Sequence, residues 1–240
     1  MTTRAVFFDV DFTLIFPGPM FQGAGYASAA ARHGMLADPA RFAAAVAAAS
    51  AVLDGHEDEA YSHDLFILYT RRILEGMGCV GAGLDPCASE LYDAWAACHH
   101  FDLYADAAPA LEALSQAGLL LGLISNSHRP MDAFQSHFEL THLITGALSS
   151  AAHGVMKPHP RIFQAALALV GVEASAAVMV GDSLKQDVEG ALRAGMRAVY
   201  LHRSETPHPR TAELAAAGVP TIRTLAELPA LLGVDAGAVV

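Results

Sequence analysis

Short apolar runs alternate with amphipathic segments along most of this chain. Five of the runs have the length and composition of buried strands and lie at 5–10, 119–125, 142–149, 177–181 and 197–201. Helical patterns lie between the later runs, at 109–118, 160–171 and 187–195. Short apolar strands separated by helices are typical of parallel strands that are covered on both faces. The pattern therefore predicts an α/β protein whose core is a parallel sheet with helices on both faces.

One long segment interrupts this alternation. Between residues 17 and 100 the pattern is helical throughout, with stretches rich in Ala and Leu separated by Gly or Asp-Pro breaks. These helical stretches lie at 26–35, 39–53, 59–77 and 86–100. We therefore expect a core domain made of residues 1–16 and 101–240, split by an all-α insertion at 17–100. The last segment, 233–240, is expected to fray.

Composition narrows the environment and the partners. The formal net charge of −11 argues against nucleic acid or an anionic membrane as the main partner. No apolar stretch is long enough to span a bilayer. The three cysteines, Cys79, Cys87 and Cys98, form no Cys-x-x-Cys pair, which favours free thiols in a reducing cytoplasm. We expect a cytoplasmic monomer or homodimer.

Polar side chains follow three of the predicted strands. Asp9, Asp11 and Thr13 come after the first, Ser125 and Asn126 after the second, and Asp182, Ser183 and Asp187 after the run at 177–181. Lys157, one of only two lysines, precedes a helix in a loop that we expect at the surface. In open α/β sheets the functional site lies at the carboxyl ends of the strands. We therefore expect these side chains to converge.

Such a group of acids requires positive charge nearby. Two unit charges 4 Å apart repel by about 4 kcal/mol at an effective dielectric constant near 20. Asp9, Asp11 and Asp182 in one crevice would therefore protonate or recruit cations. Oxygen ligands favour a hard cation such as Mg²⁺, which leaves room for a substrate phosphate. With Lys157 as a second cation, these residues predict a site for an incoming phosphoryl group.

The motifs and their order resemble those of the haloacid dehalogenase superfamily. The matching residues are Asp9-x-Asp11-x-Thr13, Ser125-Asn126, Lys157-Pro158 and Gly181-Asp182-Ser183 followed by Asp187. The resemblance covers the whole core domain and implies a Rossmann-like sheet, with the insertion at 17–100 as an α-helical cap. Two positions depart from the pattern: Phe12 stands where Gly is commoner, and His159 stands where an acid is commoner.

This resemblance implies a phosphatase that hydrolyses a small phosphorylated metabolite. Asp9 would attack phosphorus and form an aspartyl-phosphate. Asp11 would protonate the leaving alkoxide and then deprotonate the hydrolytic water. Mg²⁺ would be held by the side chains of Asp9 and Asp182 and by the backbone carbonyl of Asp11. Lys157 would neutralise the charge of the nucleophile and of the phosphate.

The resemblance assigns supporting roles to the remaining motif residues. Thr13 and Ser125 would donate hydrogen bonds to the phosphoryl oxygens, with the backbone of Asn126 nearby. Asp187 would orient the lysine or a metal-bound water. Independently of the resemblance, the position of Ser183 just before a helical pattern predicts that it caps this helix.

Three alternative functions use similar residues. A 2-haloacid dehalogenase needs no acid two residues after its nucleophile, so Asp11 disfavours it. A phosphoacceptor signalling module of the receiver type has its lysine last in the sequence, whereas Lys157 precedes Asp182 here. A phosphomutase shares the core motifs and stays open.

Overall fold

Six parallel strands form the central sheet in the computed structural model, which describes residues 2–55 and 60–234. The strands of this sheet are β1 (Ala5–Phe8), β4 (Leu120–Ser125), β5 (Ile144–Ser149), β6 (Ala177–Gly181), β7 (Arg197–Leu201) and β8 (Thr221–Ile222). Two short strands, β2 (Ile15–Pro17) and β3 (Phe101–Leu103), lie outside it. The order in the sheet is β5-β4-β1-β6-β7-β8, and every neighbouring pair is parallel. The five strands predicted from the apolar runs are confirmed.

Helices connect these strands. They are α1 (Gly23–Arg32), α2 (Phe42–Asp54), α3 (His63–Gly76), α4 (Leu84–Ala94), α5 (Ala107–Gln116), α6 (Met131–His137), α7 (Ser150–His153), α8 (Pro160–Val170), α9 (Gly190–Arg193), α10 (Thr211–Ala216) and α11 (Leu228–Leu231). The helix predicted at 187–195 is present as α9, and a π-helical segment, Leu184–Glu189, precedes it. The short strands β2 and β3 pair in a separate two-stranded sheet, which the apolar pattern did not predict.

Side chains on both faces of the central strands are buried. Phe7 and Met179 pack with Phe163 of α8 in one hydrophobic cluster. Val6 and Phe8 point to the opposite face, because side chains alternate along a strand, and they are fully buried as well. The predicted fold class, an α/β protein with a Rossmann-like parallel sheet core, is confirmed.

The contacts divide the chain into two compact units. One consists of Met1–Phe16 and Leu103–Val240, and the other of Pro17–Asp102. The inserted unit thus ends at Asp102, two residues later than the end at His100 that the sequence predicts. Residues 235–240 of the terminal segment that was expected to fray lie outside the described residues.

The unit Pro17–Asp102 contains helices α1 to α4. Its own core includes Tyr26, Leu74 and Leu91, which are nearly or fully buried. All three cysteines are buried in this unit as free thiols. Among the described residues, no helix has the length and apolar character needed to cross a membrane.

The sheet leaves no space for a side chain at one central glycine. A methyl group at Gly122 in β4 would overlap the ring of Phe7, which is fully buried. We expect Gly122→Ala to lower the free energy of unfolding by about 1–3 kcal/mol, the usual cost of overpacking a core. Urea denaturation measures this loss.

Gly146 in β5, which pairs with Gly122, provides a matched control. A methyl group there would lie 2.9 Å from Cγ of Leu169, a residue that is 52% exposed, and 3.1 Å from Cγ2 of Val170, contacts that are longer than the closest ones at Gly122. We expect Gly146→Ala to be less destabilising than Gly122→Ala. Equal losses for the two variants would contradict the packing argument.

Candidate active site

The carboxyl end of β1 lies at the centre of the sheet and presents Asp9. Strand β1 is flanked by β4 on one side and by β6 on the other, so the polar residues after these three strands share one edge. The backbone N–H of Asp9 donates a hydrogen bond to the carbonyl oxygen of Val180 in β6, at 2.9 Å. This bond continues the parallel ladder by one residue and fixes the backbone at Asp9.

Lys157 is buried between two carboxylates. Its Nζ lies 2.6 Å from Oδ1 of Asp9 and 2.7 Å from Oδ1 of Asp187. The residue is only 2% exposed, so the expectation of a surface position is wrong for this lysine. The loop that carries it folds inward because the two buried acids require a cation.

Asp187 is held on both of its oxygens. Oδ1 accepts a hydrogen bond from Nζ of Lys157, and Oδ2 accepts one from the backbone N–H of Ser183 at 3.0 Å. A methyl group at Gly181 would overlap the carboxyl group of Asp187, so the close approach requires glycine at the end of β6. These contacts are the ones that an orienting role toward Lys157 needs.

Three carboxylates crowd this edge of the sheet. Oxygen atoms of Asp9, Asp182 and Asp187 lie within 4.8 Å of one another. Burial raises the pKa of Asp9 to about 7 against the opposing effect of Lys157, and Asp187 adds to the increase. Burial, followed by the charges of Asp9 and Asp187, also raises the pKa of Asp182 well above its ordinary value. One lysine therefore leaves negative charge uncompensated, and the cluster has the oxygen donors that a divalent cation prefers.

Lys157 itself stays positively charged. Burial lowers its pKa, but the negative charges of Asp187 and Asp9 outweigh this effect and raise the pKa above its ordinary value. The amine is therefore a fixed cation beside Asp9 rather than a proton donor at neutral pH.

Asp11 lies apart from this cluster of carboxylates and pairs with an arginine. Arg129 Nη1 donates to Oδ2 of Asp11 at 3.2 Å, and Nη2 donates to Oδ1 at 3.1 Å. The next residue, Phe12, has a φ of +64°, which explains why glycine is commoner at this position of the motif. The N–H of Phe12 donates to the carbonyl oxygen of Ile15 at 2.7 Å and closes the turn.

The hydroxyl groups expected near a phosphate are buried. Thr13 is fully buried, and among the described residues its Oγ1 has no hydrogen-bond partner. Ser125 is also fully buried, and its Oγ donates to Oγ of Ser127 at 2.9 Å. An unsatisfied buried hydroxyl is uncommon in folded proteins, and a bound ligand that accepts its hydrogen bond would satisfy it.

Asn126 fixes the lysine loop through its side chain. Its Oδ1 accepts the N–H of Lys157 at 2.8 Å, and its Nδ2 donates to the carbonyl oxygen of the same residue at 2.9 Å. Nδ2 also donates to Oε1 of Gln186 at 3.2 Å. The side chain therefore joins the loops after β4 and β6, a contact that sequence analysis did not anticipate.

Two helix caps account for other motif residues. Ser183 Oγ accepts the N–H of Gln186 at 3.2 Å and caps the segment Leu184–Glu189. His159 Nδ1 accepts the N–H of Arg161 at 3.0 Å and caps α8. The histidine thus performs the capping that an acid would provide at this position.

Two arginines near these residues were missed by sequence reasoning. Arg129 lies four residues beyond Ser125, and its position in a strand-end loop was the only available signal. Arg203 follows β7, and its Nη2 donates to the carbonyl oxygen of Thr13 at 2.8 Å. It also forms a two-point ion pair with Asp106, at 2.9 and 3.0 Å. The pairing of each arginine with an acid far away in the sequence is visible only in the fold.

The arrangement combines what group transfer to a carboxylate requires. Asp9 offers an oxygen beside a permanent cation, and Thr13 offers a hydroxyl without a partner among the described residues. Asp11, two residues after Asp9, offers a second carboxylate held in a separate ion pair. Two carboxylates that could serve as a nucleophile and as an acid/base group therefore lie, with compensating charge, in one unit of the chain.

Known proteins share this sequence pattern. A family model described as a haloacid dehalogenase-like hydrolase matches residues 3–195. A phosphoserine phosphatase from Thermus thermophilus is 36% identical over 114 residues, which cover 45% of this chain and 43% of that protein. The matched region thus spans less than half the length of this curated relative.

Solved structures match over nearly the whole chain. A HAD phosphatase from Thermococcus onnurineus is 27% identical with a TM-score of 0.66 and covers 97% of this chain and 99% of its own. A 2-haloacid dehalogenase from Pseudomonas syringae is 25% identical with a TM-score of 0.62 and the same coverage of both chains. Similar folds therefore carry both chemistries, and the distinction between them depends on particular residues.

The buried lysine predicts a large effect on stability. Lys157→Met leaves Asp9 and Asp187 buried without their cation, so we expect a loss of about 3–5 kcal/mol in the free energy of unfolding at pH 8. The pKa of Asp9 is already raised from 3.8 to about 7, so this carboxyl group is mostly protonated in the folded protein at pH 5. Protonation favours the folded state there, and the loss should be smaller at pH 5 than at pH 8. Urea denaturation at both values measures it.

Two further variants test the cause of this loss. Lys157→Met combined with Asp187→Asn removes one cation and one anion together, so stability at pH 8 should be partly restored. Lys185→Met changes the other lysine of the chain, which is exposed, and should alter stability by less than about 0.5 kcal/mol. If the double variant were no more stable than Lys157→Met alone, the charge argument would be wrong.

Proposed function

This chain belongs to the haloacid dehalogenase-like hydrolase family, and we propose that it is a Mg²⁺-dependent phosphatase of a small phosphorylated metabolite. Asp9 would form an aspartyl-phosphate, and Asp11 would act as the general acid and base. The observation that carries the proposal is the buried contact of 2.6 Å between Lys157 and Asp9, with a second acid two residues further along the chain. Relatives named as phosphatases support the same conclusion.

The nucleophilic step follows from the environment of Asp9. Its Oδ1 is bound by Lys157, so the carboxylate is held in one orientation and its negative charge is compensated. Attack of an Asp9 oxygen on phosphorus forms one P–O bond while the bond to the leaving oxygen breaks. The positive charge of Lys157 stabilises the charge that develops on the phosphoryl oxygens.

The general acid and base must serve both halves of the reaction. Asp11 donates its proton to the leaving oxygen in the first half and takes a proton from water in the second. That water attacks the phosphorus of the aspartyl-phosphate, releases inorganic phosphate and regenerates the Asp9 carboxylate. The hydroxyl group of Thr13 would donate to a phosphoryl oxygen, which would satisfy its unpaired hydrogen-bonding capacity.

The carboxylate cluster fits a hard divalent cation. The side chains of Asp9 and Asp182 and the backbone carbonyl of Asp11 would hold Mg²⁺, while Asp187 stays engaged with Lys157. The raised pKa values of Asp9 and Asp182 support this fit, because burial and the neighbouring carboxylates disfavour the charged forms and a bound cation would oppose both effects. When bound, Mg²⁺ would neutralise phosphate charge as the nucleophile approaches.

The unit at 17–102 would select the substrate. It is inserted in the sequence between the motif at 9–13 and the motif at 125–126, and it has its own core. An inserted domain of this size can vary without altering the residues of the reaction, which suits a specificity role. The three free thiols support a site of action in the reducing cytoplasm.

Phosphate release should depend on the metal. We expect the purified protein to hydrolyse p-nitrophenyl phosphate with Mg²⁺ and to lose this activity in excess EDTA.

Asp182→Asn removes a metal ligand and also a carboxylate whose pKa burial raises above its ordinary 3.8. Its charge opposes folding once the pH exceeds 3.8, so the variant should raise the metal-free Tm more at pH 8 than at pH 4. Added Mg²⁺ should no longer raise the Tm of this variant. Undiminished turnover of the wild-type protein in excess EDTA would exclude a requirement for the metal.

The two aspartates should fail in different ways. Asp9→Asn removes the attacking oxygen, so activity should vanish toward every phosphate ester. Asp11→Asn keeps the nucleophile but lacks the proton donor, so activity toward alkyl phosphates should fall by about 10²–10⁴-fold. The loss should be smaller for p-nitrophenyl phosphate, whose leaving group needs no proton. Steady-state kinetics and a mass increase of one phosphoryl group on Asp9 in the Asp11→Asn variant measure these outcomes.

Controls separate this proposal from the alternatives. Asp132→Asn changes an exposed acid of the same unit and should leave both activities unchanged. Chloride release from 2-chloropropionate without metal would indicate a dehalogenase instead. Stable phosphorylation of the wild-type protein without turnover would indicate a receiver-type module. Full activity of Asp11→Asn on alkyl phosphates would refute the two-carboxylate mechanism.

A further inference from the structure

We propose that Arg129 is a positioning residue that holds the carboxyl group of Asp11 in the orientation needed to transfer a proton to the leaving oxygen. This inference rests on the proposed phosphatase function and assigns a role to a residue outside the four sequence motifs. Its basis is a two-point ion pair between residues that are 118 positions apart in the sequence.

The ion pair fixes both oxygens of Asp11. Arg129 Nη1 reaches Oδ2 at 3.2 Å and Nη2 reaches Oδ1 at 3.1 Å, so the plane of the carboxyl group is aligned with the guanidinium. The side chain of Arg129 is fully buried, whereas that of Asp11 is 17% exposed. The arginine is therefore the fixed member of the pair, and the acid is the member that reaches solvent.

The loop of Arg129 is itself well anchored. It lies between β4 and α6, and Pro130 immediately precedes α6. The carbonyl oxygen of Ser127 accepts the N–H of Ala151 at 3.2 Å and the hydroxyl group of Ser150 at 3.4 Å. A buried side chain on a loop fixed in this way is suited to orient another residue.

The side chain of Asp11 needs a constraint beyond its backbone. The backbone forms an isolated bridge with Ile15 and precedes the left-handed turn at Phe12, but the residue lies outside the regular strands and helices. A general acid must lie within hydrogen-bond distance of the atom that it protonates. A misplacement of about 1 Å can reduce a rate by about 10²-fold.

The contact is also compatible with proton transfer. Each carboxyl oxygen accepts one N–H, so one oxygen can keep its bond to Arg129 while the other donates its proton to the leaving oxygen. The proton moves from the carboxyl group to that oxygen as the P–O bond breaks, and Asp11 becomes a carboxylate. A carboxylate is the form that a guanidinium binds most strongly.

The inference is tested by how the rate depends on the leaving group. Arg129→Gln removes the ion pair and leaves Asp9, Lys157 and Asp182 in place. Turnover should be measured on p-nitrophenyl, phenyl and alkyl phosphates, which need increasing help from an acid. We expect kcat for alkyl phosphates to fall by about 10²-fold with little change in KM. The loss for p-nitrophenyl phosphate should be several times smaller.

A double variant determines whether the effect passes through Asp11. In an Asp11→Asn background there is no acid to position, so adding Arg129→Gln should not lower kcat for alkyl phosphates further. If Arg129 merely supported the fold, its substitution would lower activity by the same factor in both backgrounds. Thermal unfolding of each variant identifies any loss of folded protein.

Two other substitutions keep the test interpretable. Arg129→Lys retains the charge but not the two-point geometry, and it should recover part of the activity on alkyl phosphates relative to Arg129→Gln. Arg203→Gln removes a similar two-point pair, with Asp106, which is not the acid. Any loss in that variant should be equal for aryl and alkyl phosphates.

The outcomes separate this inference from the proposed function. Equal losses of Arg129→Gln on aryl and alkyl phosphates, or an undiminished further loss in the Asp11→Asn background, would overturn the role of Arg129 while the wild type still hydrolyses phosphate esters. A wild-type protein without phosphatase activity would overturn the proposed function and this inference with it.

Discussion

The burial of one lysine between two carboxylates is the interaction on which the rest of this site depends. Lys157 is 2% exposed, and its amine lies within 2.7 Å of both Asp9 and Asp187. Without this cation, the fully buried strand β1 could not end in a buried acid at the centre of the sheet. The same contact keeps Asp9 oriented and charge-compensated, which is what a nucleophilic carboxylate needs. Structural stability and the proposed chemistry therefore have one physical origin.

Parallel strand order is what makes the contact possible. Because β1 lies between β4 and β6, residues from three distant parts of the sequence emerge at one edge. Asn126 then holds the backbone of Lys157 by accepting its N–H and donating to its carbonyl oxygen. Gly181 permits the close approach of Asp187 that completes the ion pair. The loops around the site are thus joined to one another by hydrogen bonds that use backbone as well as side chains.

A second feature of this unit is that Asp11 and Asp106 each pair with a different arginine. Arg129 binds Asp11, and Arg203 binds Asp106 while also donating to the carbonyl oxygen of Thr13. Burial raises the pKa of Asp106, but hydrogen bonds from Arg203 and Thr224 outweigh it and hold the pKa below its ordinary value. Asp9 and Asp182 differ, because burial and the neighbouring carboxylates raise their pKa values despite the opposing charge of Lys157. Asp11 and Asp106 thus each have an arginine partner, whereas the clustered carboxylates Asp9, Asp182 and Asp187 have Lys157 as their common cation.

The sequence alone determined the strands, their parallel arrangement and the acids, hydroxyls and lysine at their ends, because apolar periodicity and strand-end polarity are local signals. It did not reveal that Lys157 is buried, since burial depends on Asp9 and Asp187, which are remote in the chain. It also gave no reason to choose Arg129 among the arginines, because its partner Asp11 is 118 residues away. The folded sheet decides which charged side chains form ion pairs, because an ion pair depends on distance in space and on the exclusion of water around it.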